Sequence, residues 1–104
     1  MIITTSDSIA GKTIKESKGL VRGNTIRARH MGHDFMASLR GVVGGEITNY
    51  TKMMAESREQ AIDRMIEEAE AMGANAIVGL KFSTSMIMQN AAEILAYGTA
   101  VVTD

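Results

Sequence analysis

The sequence contains no cysteine among its 104 residues. A chain without thiols cannot form disulfide bonds, hold zinc through thiolates or use a cysteine nucleophile. Any metal site must therefore depend on histidine and carboxylate ligands. Among the nine methionines only Met86 and Met88 have the M-x-M spacing expected in a copper(I) carrier, and we interpret the methionines mainly as core-filling side chains.

An excess of charge of one sign is also absent, since 11 basic residues face 12 acidic ones and the formal net charge is -1. Nucleic-acid binding depends largely on a positive field at the phosphates, and none is expected here. Six basic residues do gather near the N-terminus, but no aromatic residue lies among them to stack on bases. We interpret them as a solvated strand face. They are Lys12, Lys15, Lys18, Arg22, Arg27 and Arg29.

Long apolar runs are missing as well. No segment approaches the roughly 18 consecutive apolar residues that cross a bilayer, and the first five residues lack the basic start of a signal peptide. We therefore expect a cytoplasmic protein without membrane contact. The length, with 45% hydrophobic and 22% charged residues, predicts a single folded domain over residues 1–104.

The clearest predicted element is a helix over Ser57–Met72. Ser57 and Gln60 fit an S-x-x-Q capping box, and Gly73 suits the position just after the helix. Apolar residues recur at helical spacing along one side, while acidic residues occupy the other. The predicted inward residues are Ile62, Met65, Ile66, Ala69 and Met72, and the predicted solvated acids are Glu59, Asp63, Glu67 and Glu70.

Two shorter helices are predicted before it, over residues 34–43 and 46–54. Asp34 is a plausible N-cap of the first, and the Gly44-Gly45 pair ends it. Glu46 at the start of the second is favourable because its carboxylate meets the positive end of the helix dipole.

Strand-like patterns lie on both sides of these helices. Residues 9–28 mix β-branched residues with three glycines and predict a long irregular strand or a hairpin. Residues 74–86 predict a mostly buried strand, and Gln89-Asn90 predicts a turn into a last strand over 93–102. The fold class that follows is α+β, with a small antiparallel sheet covered by the long helix.

The last predicted strand is rich in apolar and small residues from Leu95 to Val101. Such a strand is poorly suited to an exposed edge or a solvated face. We therefore predict a homo-oligomer in which other subunits cover it. Met86 and Met88 are candidates for the same intersubunit surface.

Four stretches, in the same order over nearly the whole chain, resemble the YbjQ family of small uncharacterised proteins. They are Gly44-Gly45-Glu46 with Tyr50, Arg58 with residues 61–65, Gly73 to Gly79, and Glu93 with Tyr97 to Val101. The resemblance implies a dodecin-like β-α-β-β subunit that forms a ring, typically a pentamer, through sheet contacts. The family lacks an established activity and is sometimes labelled heavy-metal-binding.

His30 and His33 provide the only metal-like spacing in the chain. The two imidazoles would share a side if the segment were helical, which Gly32 disfavours, and a third ligand would have to come from Asp34, Glu46 or another subunit. We interpret them as exposed histidines at a strand-to-helix junction. Binding of a divalent metal through His30 and His33 is the alternative.

The polar residues inside the family-like stretches are the remaining candidates for a site: Glu46, Arg58, Arg64 and Glu93. They suit structural ion pairs or contacts to a ligand, and Glu46 is the best candidate acid or base if the protein is an enzyme. No nucleophile, base and orienting group occur together. The favoured hypothesis is a non-catalytic homo-oligomer that binds a small molecule between subunits or has a structural role, with no cofactor identified.

Overall fold

The computed structural model describes residues 1–28, 45–88 and 91–104, without the side chains of residues 28 and 45–50. Its elements are β1 (Ile2–Ile3), β2 (Ile14–Ala28), α1 (Gly45–Ala71), β3 (Ala76–Met88) and β4 (Ala91–Thr103). The helix predicted over 34–43 and the turn predicted at Gln89-Asn90 lie outside the described residues.

One helix packs on one face of a four-stranded mixed sheet with the strand order β1-β3-β4-β2. β4 pairs antiparallel with both β2 and β3, which confirms the predicted pairing of the last two strands. β1 pairs parallel with β3 at Ile2 and Ile3, so the sheet is not purely antiparallel. The predicted α+β class is confirmed at this level.

β4 lies in the centre of the sheet, with β3 on one side and β2 on the other. Ile94, Ala96 and Ala100 are buried against the helix side of the sheet, and Val101 is buried on the opposite side. β4 is therefore not an edge strand, and the part of the argument for partner subunits that treats it as one is wrong, because strand order cannot be read from one strand's composition. Leu95 and Tyr97 lie on the face opposite α1, so the part that concerns a solvated face stays a prediction.

α1 is a single helix of 27 residues, whereas the sequence pattern predicts two helices separated near residue 56. Ser57 is fully buried in the helix interior, and its hydroxyl donates a 2.9 Å hydrogen bond to the carbonyl of Met53, one turn back. The predicted capping box is thus wrong. A serine satisfied by the i-4 carbonyl fits inside a helix, and the S-x-x-Q pattern does not distinguish the two situations.

The end of α1 matches the prediction. Gly73 has φ of +84°, and its N–H donates to the carbonyl of Glu70 at 3.0 Å, while Ala74 N–H donates to Ala69 at 3.1 Å. This pair of hydrogen bonds is a Schellman motif, which needs a left-handed residue just past the helix. Glycine adopts that conformation without the steric cost that a Cβ brings.

Replacing Gly73 with alanine is expected to lower the free energy of unfolding by about 1 kcal/mol, because alanine is strained at positive φ. Gly73→Asn is the matched control, since asparagine tolerates the left-handed region better and should lose less. Urea unfolding at a fixed protein concentration measures both. Equal stability of the alanine variant and the wild type would contradict the role assigned to Gly73.

The core lies between α1 and the sheet. Ala61, Met65 and Ala69 of α1 are fully buried against residues that include Val21 and Ile94. Ile62, Ile66 and Met72 pack at its border, so the predicted inward stripe is confirmed. Burying a side chain of the size of Met65 contributes about 2 kcal/mol. The four acids predicted to be solvated are all exposed.

Gly23 allows α1 to pack closely against β2. A Cβ at this position would stand 2.3 Å from the carbonyl oxygen of Ala61 and 2.4 Å from the backbone nitrogen of Met65. Real Cβ atoms do not approach backbone this closely, so only glycine allows the observed packing. Beside it, the hydroxyl of Thr25 donates to the carbonyl of Ser57 at 3.3 Å.

The solvent exposure of β3 changes along its length. Ala76, Ile77, Val78 and Leu80 are buried, but every residue from 81 to 88 is exposed. The register with β4 shifts between Val78 and Lys81, around Gly79 at φ +66°. The prediction of a mostly buried strand therefore holds only for the first part of β3.

Candidate functional site

Among the described residues, α1 covers one face of the sheet and the other face is largely open. Val21 and Thr25 of β2 and Ile94 and Ala96 of β4 are buried on the helix side. Neighbours along a strand alternate between faces, so the residues between them form the opposite surface, which we name the open face. It comprises Leu20, Arg22, Asn24 and Ile26 of β2, Lys81, Ser83 and Ser85 of β3, and Glu93, Leu95, Tyr97 and Thr99 of β4.

The N-terminal segment limits the open face at one end. Ile9 packs against the small core that contains Val78 and Val101. Thr4 holds this segment to β3, since its carbonyl accepts a 3.0 Å hydrogen bond from the N–H of Leu80. The open face therefore begins just beyond this point and continues toward the far end of the sheet.

Arg22, Tyr97 and Lys81 form a row across the open face. Tyr97 on the central strand is in register with Arg22 on one side and Lys81 on the other. Directly opposite residues of paired strands have Cβ atoms about 5 Å apart. Arg22 and Lys81 are exposed, Tyr97 is half-buried, and neither cation makes an ion pair within 4.0 Å to a described carboxylate. Two cations thus flank a phenol.

Two of the predicted polar candidates meet at Asn24. The guanidinium of Arg64 donates to the carbonyl of Asn24 at 2.6 Å, and the side-chain amide of Asn24 donates to the carboxylate of half-buried Glu93 at 3.0 Å. These contacts tie α1 to β2 and β2 to β4. Both contacts stabilise the fold. Glu93 lies on the same face of β4 as Tyr97, four residues away along the strand.

The exposed part of β3, residues 81–88, is named the arm. Its large apolar side chains are unusually accessible, with 41% exposure at Phe82, 74% at Met86, 47% at Ile87 and 64% at Met88. Exposed apolar residues are common one at a time, whereas a contiguous set points to an interaction surface. The chain extends over 54 × 23 × 17 Å, with a radius of gyration of 17.1 Å against about 13 Å for a compact domain of this length.

Phe82 and Met86 lie on the helix side of the arm, because they are in register with Ala96 and Ala92 of β4. α1 covers β2 and β4 and hardly reaches β3. These two side chains therefore form an uncovered apolar strip beside the helix. Within the described chain, the outer edge of β3 also lacks a paired strand beyond Leu80.

The outer edge of β2 is closed at its middle. The carboxylate of Glu68 accepts a 3.0 Å hydrogen bond from the backbone N–H of Arg22, and Arg64 donates to the carbonyl of Asn24. β4 occupies the other side of β2, so both groups belong to its outer edge. Side chains of α1 thus take the place of a neighbouring strand at this point.

A shallow groove of about 470 Å³ lies between the end of β2 and α1. Arg27 donates from its terminal nitrogen to the side-chain oxygen of Gln60 at 2.9 Å, and its buried Nε has no acceptor among the described residues. Carboxylates dominate the rest of the lining, which comprises Ala55, Glu56, Glu59 and Asp63. This mixture of charges indicates no single class of ligand.

The predicted metal ligands His30 and His33 lie outside the described residues. Glu46 lies in the first turn of α1, but its side chain is not among those described, and Arg58 is exposed on α1 away from the other candidates. In the part of the chain that the structure describes, no three metal-ligating side chains come together. Over the same residues, no helix has the length and apolarity of a bilayer span.

Comparison with known proteins gives a consistent result. The family model YbjQ, described as "Putative heavy-metal-binding", matches residues 1–104. A UPF0145 protein of Methanosarcina acetivorans is 61% identical over 101 residues, which cover 97% of this chain and 95% of that protein. A UPF0145 protein of Vibrio parahaemolyticus is 54% identical, with 97% and 96% covered.

A solved structure also resembles this chain. It is the crystal structure of a protein of unknown function from Pediococcus pentosaceus, which belongs to the DUF74 family. The two superpose with a TM-score of 0.70 at 22% identity, over 100% of this chain and 98% of the other. The two proteins therefore share their fold.

Proposed function

This chain belongs to the YbjQ family, and from that premise we propose that it is a non-catalytic homo-oligomer, a dodecin-like ring of five copies that binds a small ligand inside the assembly. The exposed apolar arm carries this proposal. The ring form and the number five rest on the family resemblance.

The arm supports self-association through its composition. Phe82, Met86, Ile87 and Met88 leave a large apolar surface in water in an isolated chain. Covering such side chains gains about 25 cal/mol for each Å² removed from water. A second copy of the chain is a suitable cover, because the open outer edge of β3 supplies unpaired backbone groups next to the same side chains.

The distribution of charge supports an orientation of the subunits. The acids of α1, among them Glu59, Asp63 and Glu67, are exposed on its outer side. Charged side chains are costly to remove from water. We therefore place the helices on the outside of the ring. The open face, with accessible Leu20 and Ile26, then lines the interior.

Concave space between subunits is a suitable location for a ligand, because pockets form readily at interfaces. The described part of the chain carries one groove of note, and its charges are mixed. The open face is the more extensive candidate surface. It brings Tyr97, Glu93 and two cations onto one side of the sheet.

Native mass spectrometry of the untagged protein tests the proposal. Five copies of the 11.2 kDa chain give a mass of about 56 kDa. A spectrum at that mass supports a pentamer, another multiple retains self-association and removes the number five, and a monomer at micromolar concentration contradicts the proposal as a whole.

Metal binding is a second candidate, favoured by the family's description alone. If His30 and His33 bind a divalent metal, the double variant His30→Ala, His33→Ala is expected to lower zinc affinity at least about tenfold, since each lost ligand weakens a site strongly. Calorimetric titration with zinc measures this. Met53→Leu is a control that leaves both histidines in the chain, and unchanged affinity in the histidine variant would end this candidate.

A further inference from the structure

We propose that the row formed by Arg22, Tyr97 and Lys81 on the open face binds a multivalent oxyanion, the class that includes di- and triphosphates and tricarboxylates. The inference adds a ligand class to the proposed function. It rests on the proposed function only where it combines the rows of several subunits. It assigns a ligand class and the residues that contact the ligand.

The first argument is the geometry of one row. Register places Arg22 and Lys81 on opposite sides of Tyr97, on three adjacent strands, with Lys81 just past the register shift that follows Val78. Strands are about 4.8 Å apart, so the two strands that carry the cations are separated by about 10 Å. Long arginine and lysine side chains can converge over the intervening phenol from that separation. An oxyanion seated there can receive hydrogen bonds from both cations and from the Tyr97 hydroxyl.

The second argument is electrostatic. Among the described residues, the ion pair within 4.0 Å is that of Lys18 with Glu16, so neither Arg22 nor Lys81 forms a salt bridge with a described carboxylate. Glu93 on the same face lies two rows away and is held by Asn24. The carboxylate of Glu68 accepts a 3.0 Å hydrogen bond from the backbone N–H of Arg22 at the outer edge of β2, and an oxygen of Asp7 lies 3.7 Å from a Cβ position at Gly79. The row itself contains no acid.

The third argument concerns the chemistry of the side chains. Arginine presents a planar fork that matches carboxylate and phosphate oxygens, and lysine adds a compact positive charge. Tyrosine contributes one donor and an apolar ring. In a ring with the open face inward, five rows bring ten cations around one axis, and rings of basic side chains favour anions in a channel.

The test uses pyrophosphate and citrate as probes, titrated into the wild-type protein by calorimetry at low salt. The double variant Arg22→Gln, Lys81→Gln removes both cations from the row. It is expected to weaken the binding of at least one probe by at least about tenfold, because charge-assisted hydrogen bonds are lost. Stronger binding of pyrophosphate assigns a phosphorylated ligand, and stronger binding of citrate assigns a carboxylated one.

A matched control removes the same types of charge elsewhere. Lys52 and Arg58 are exposed on α1, and the double variant Lys52→Gln, Arg58→Gln lowers the net charge equally. Its affinity is expected to stay within about twofold of the wild type. Arg22→Lys keeps the charge but removes the fork, and an intermediate affinity is expected.

The outcomes separate this inference from the proposed assembly. Absence of binding of both probes to the wild type, or equal weakening in the two double variants, overturns the oxyanion site. Native mass spectra of the same samples report the assembly independently. A monomeric wild type that still binds a probe through Arg22 and Lys81 refutes the ring and keeps the site.

Discussion

Replacing Gly23 with alanine is expected to lower the free energy of unfolding by at least about 3 kcal/mol, or to prevent folding. The new methyl group would overlap the carbonyl oxygen of Ala61 and the backbone nitrogen of Met65, at 2.3 and 2.4 Å. Backbone atoms in the middle of a helix cannot move independently of the helix, whereas the end of a flexible side chain can change its rotamer. The whole of α1 must therefore move away from β2, which opens the core around Met65.

Urea unfolding followed by far-ultraviolet circular dichroism measures this loss, at one protein concentration because the proposed association would contribute to stability. Gly11→Ala is the control. Gly11, unlike Gly23, has positive φ, at +78°, and nothing lies within 4 Å of its Cβ position. Its expected cost is conformational strain of about 1 kcal/mol. Similar losses in the two variants would mean that the close contact with Ala61 is unimportant.

The double variant Phe82→Ser, Met86→Ser is expected to convert the assembly to monomer. Both residues are accessible in the single chain, at 41% and 74%, so their loss should leave the fold of the monomer intact. If a neighbour covers them, about 3 kcal/mol of apolar burial is removed from each interface, which corresponds to more than about a hundredfold in affinity. Sedimentation velocity over a range of concentrations measures the change in mass.

The control variant Ile2→Ser, Ile14→Ser removes two other accessible apolar side chains, at 40% and 36% exposure, away from the arm. It is expected to keep the assembled mass. Circular dichroism establishes that both variants are folded. If the double variant Phe82→Ser, Met86→Ser retains the wild-type mass, the arm is not part of the interface.

Much of the fold was predictable because the relevant signals are local. The apolar stripe of α1 and the glycine at its end depend on residues within a few turns of each other, and both predictions are confirmed. The family resemblance, which rests on four ordered stretches, is confirmed by a match over the whole chain. β1 consists of two residues, too few for any periodicity to show.

The errors came from features that sequence proximity does not encode. Ser57 has the spacing of a cap, but the contact that decides its role is the close approach of β2 at Thr25 and Gly23, more than 30 positions away. The central position of β4 likewise depends on which strands flank it. A strand between two others has no edge to cover, however apolar its sequence.

The candidate site was predictable only in part. Arg64 and Glu93 were identified from the family-like stretches, and both contact Asn24 in the structure. The sequence predicts Arg22 to be one of several solvated basic residues, because nothing in the sequence links it to Tyr97 and Lys81. The row exists only through the register of the three paired strands.

The hydrogen bonds from Glu68 and Arg64 to the outer edge of β2 also bear on how far the chain can associate. Sheet proteins form fibres when each copy offers one edge to the copy before it and another to the copy after it. In this chain the arm is an open edge, whereas at the middle of β2 the N–H of Arg22 and the carbonyl of Asn24 are already bound by side chains of α1. A newly added strand therefore finds no continuous ladder along β2. Growth into an amyloid-like fibre is therefore hindered at that edge. The exposed arm can bind another copy of the chain without leading to a fibre.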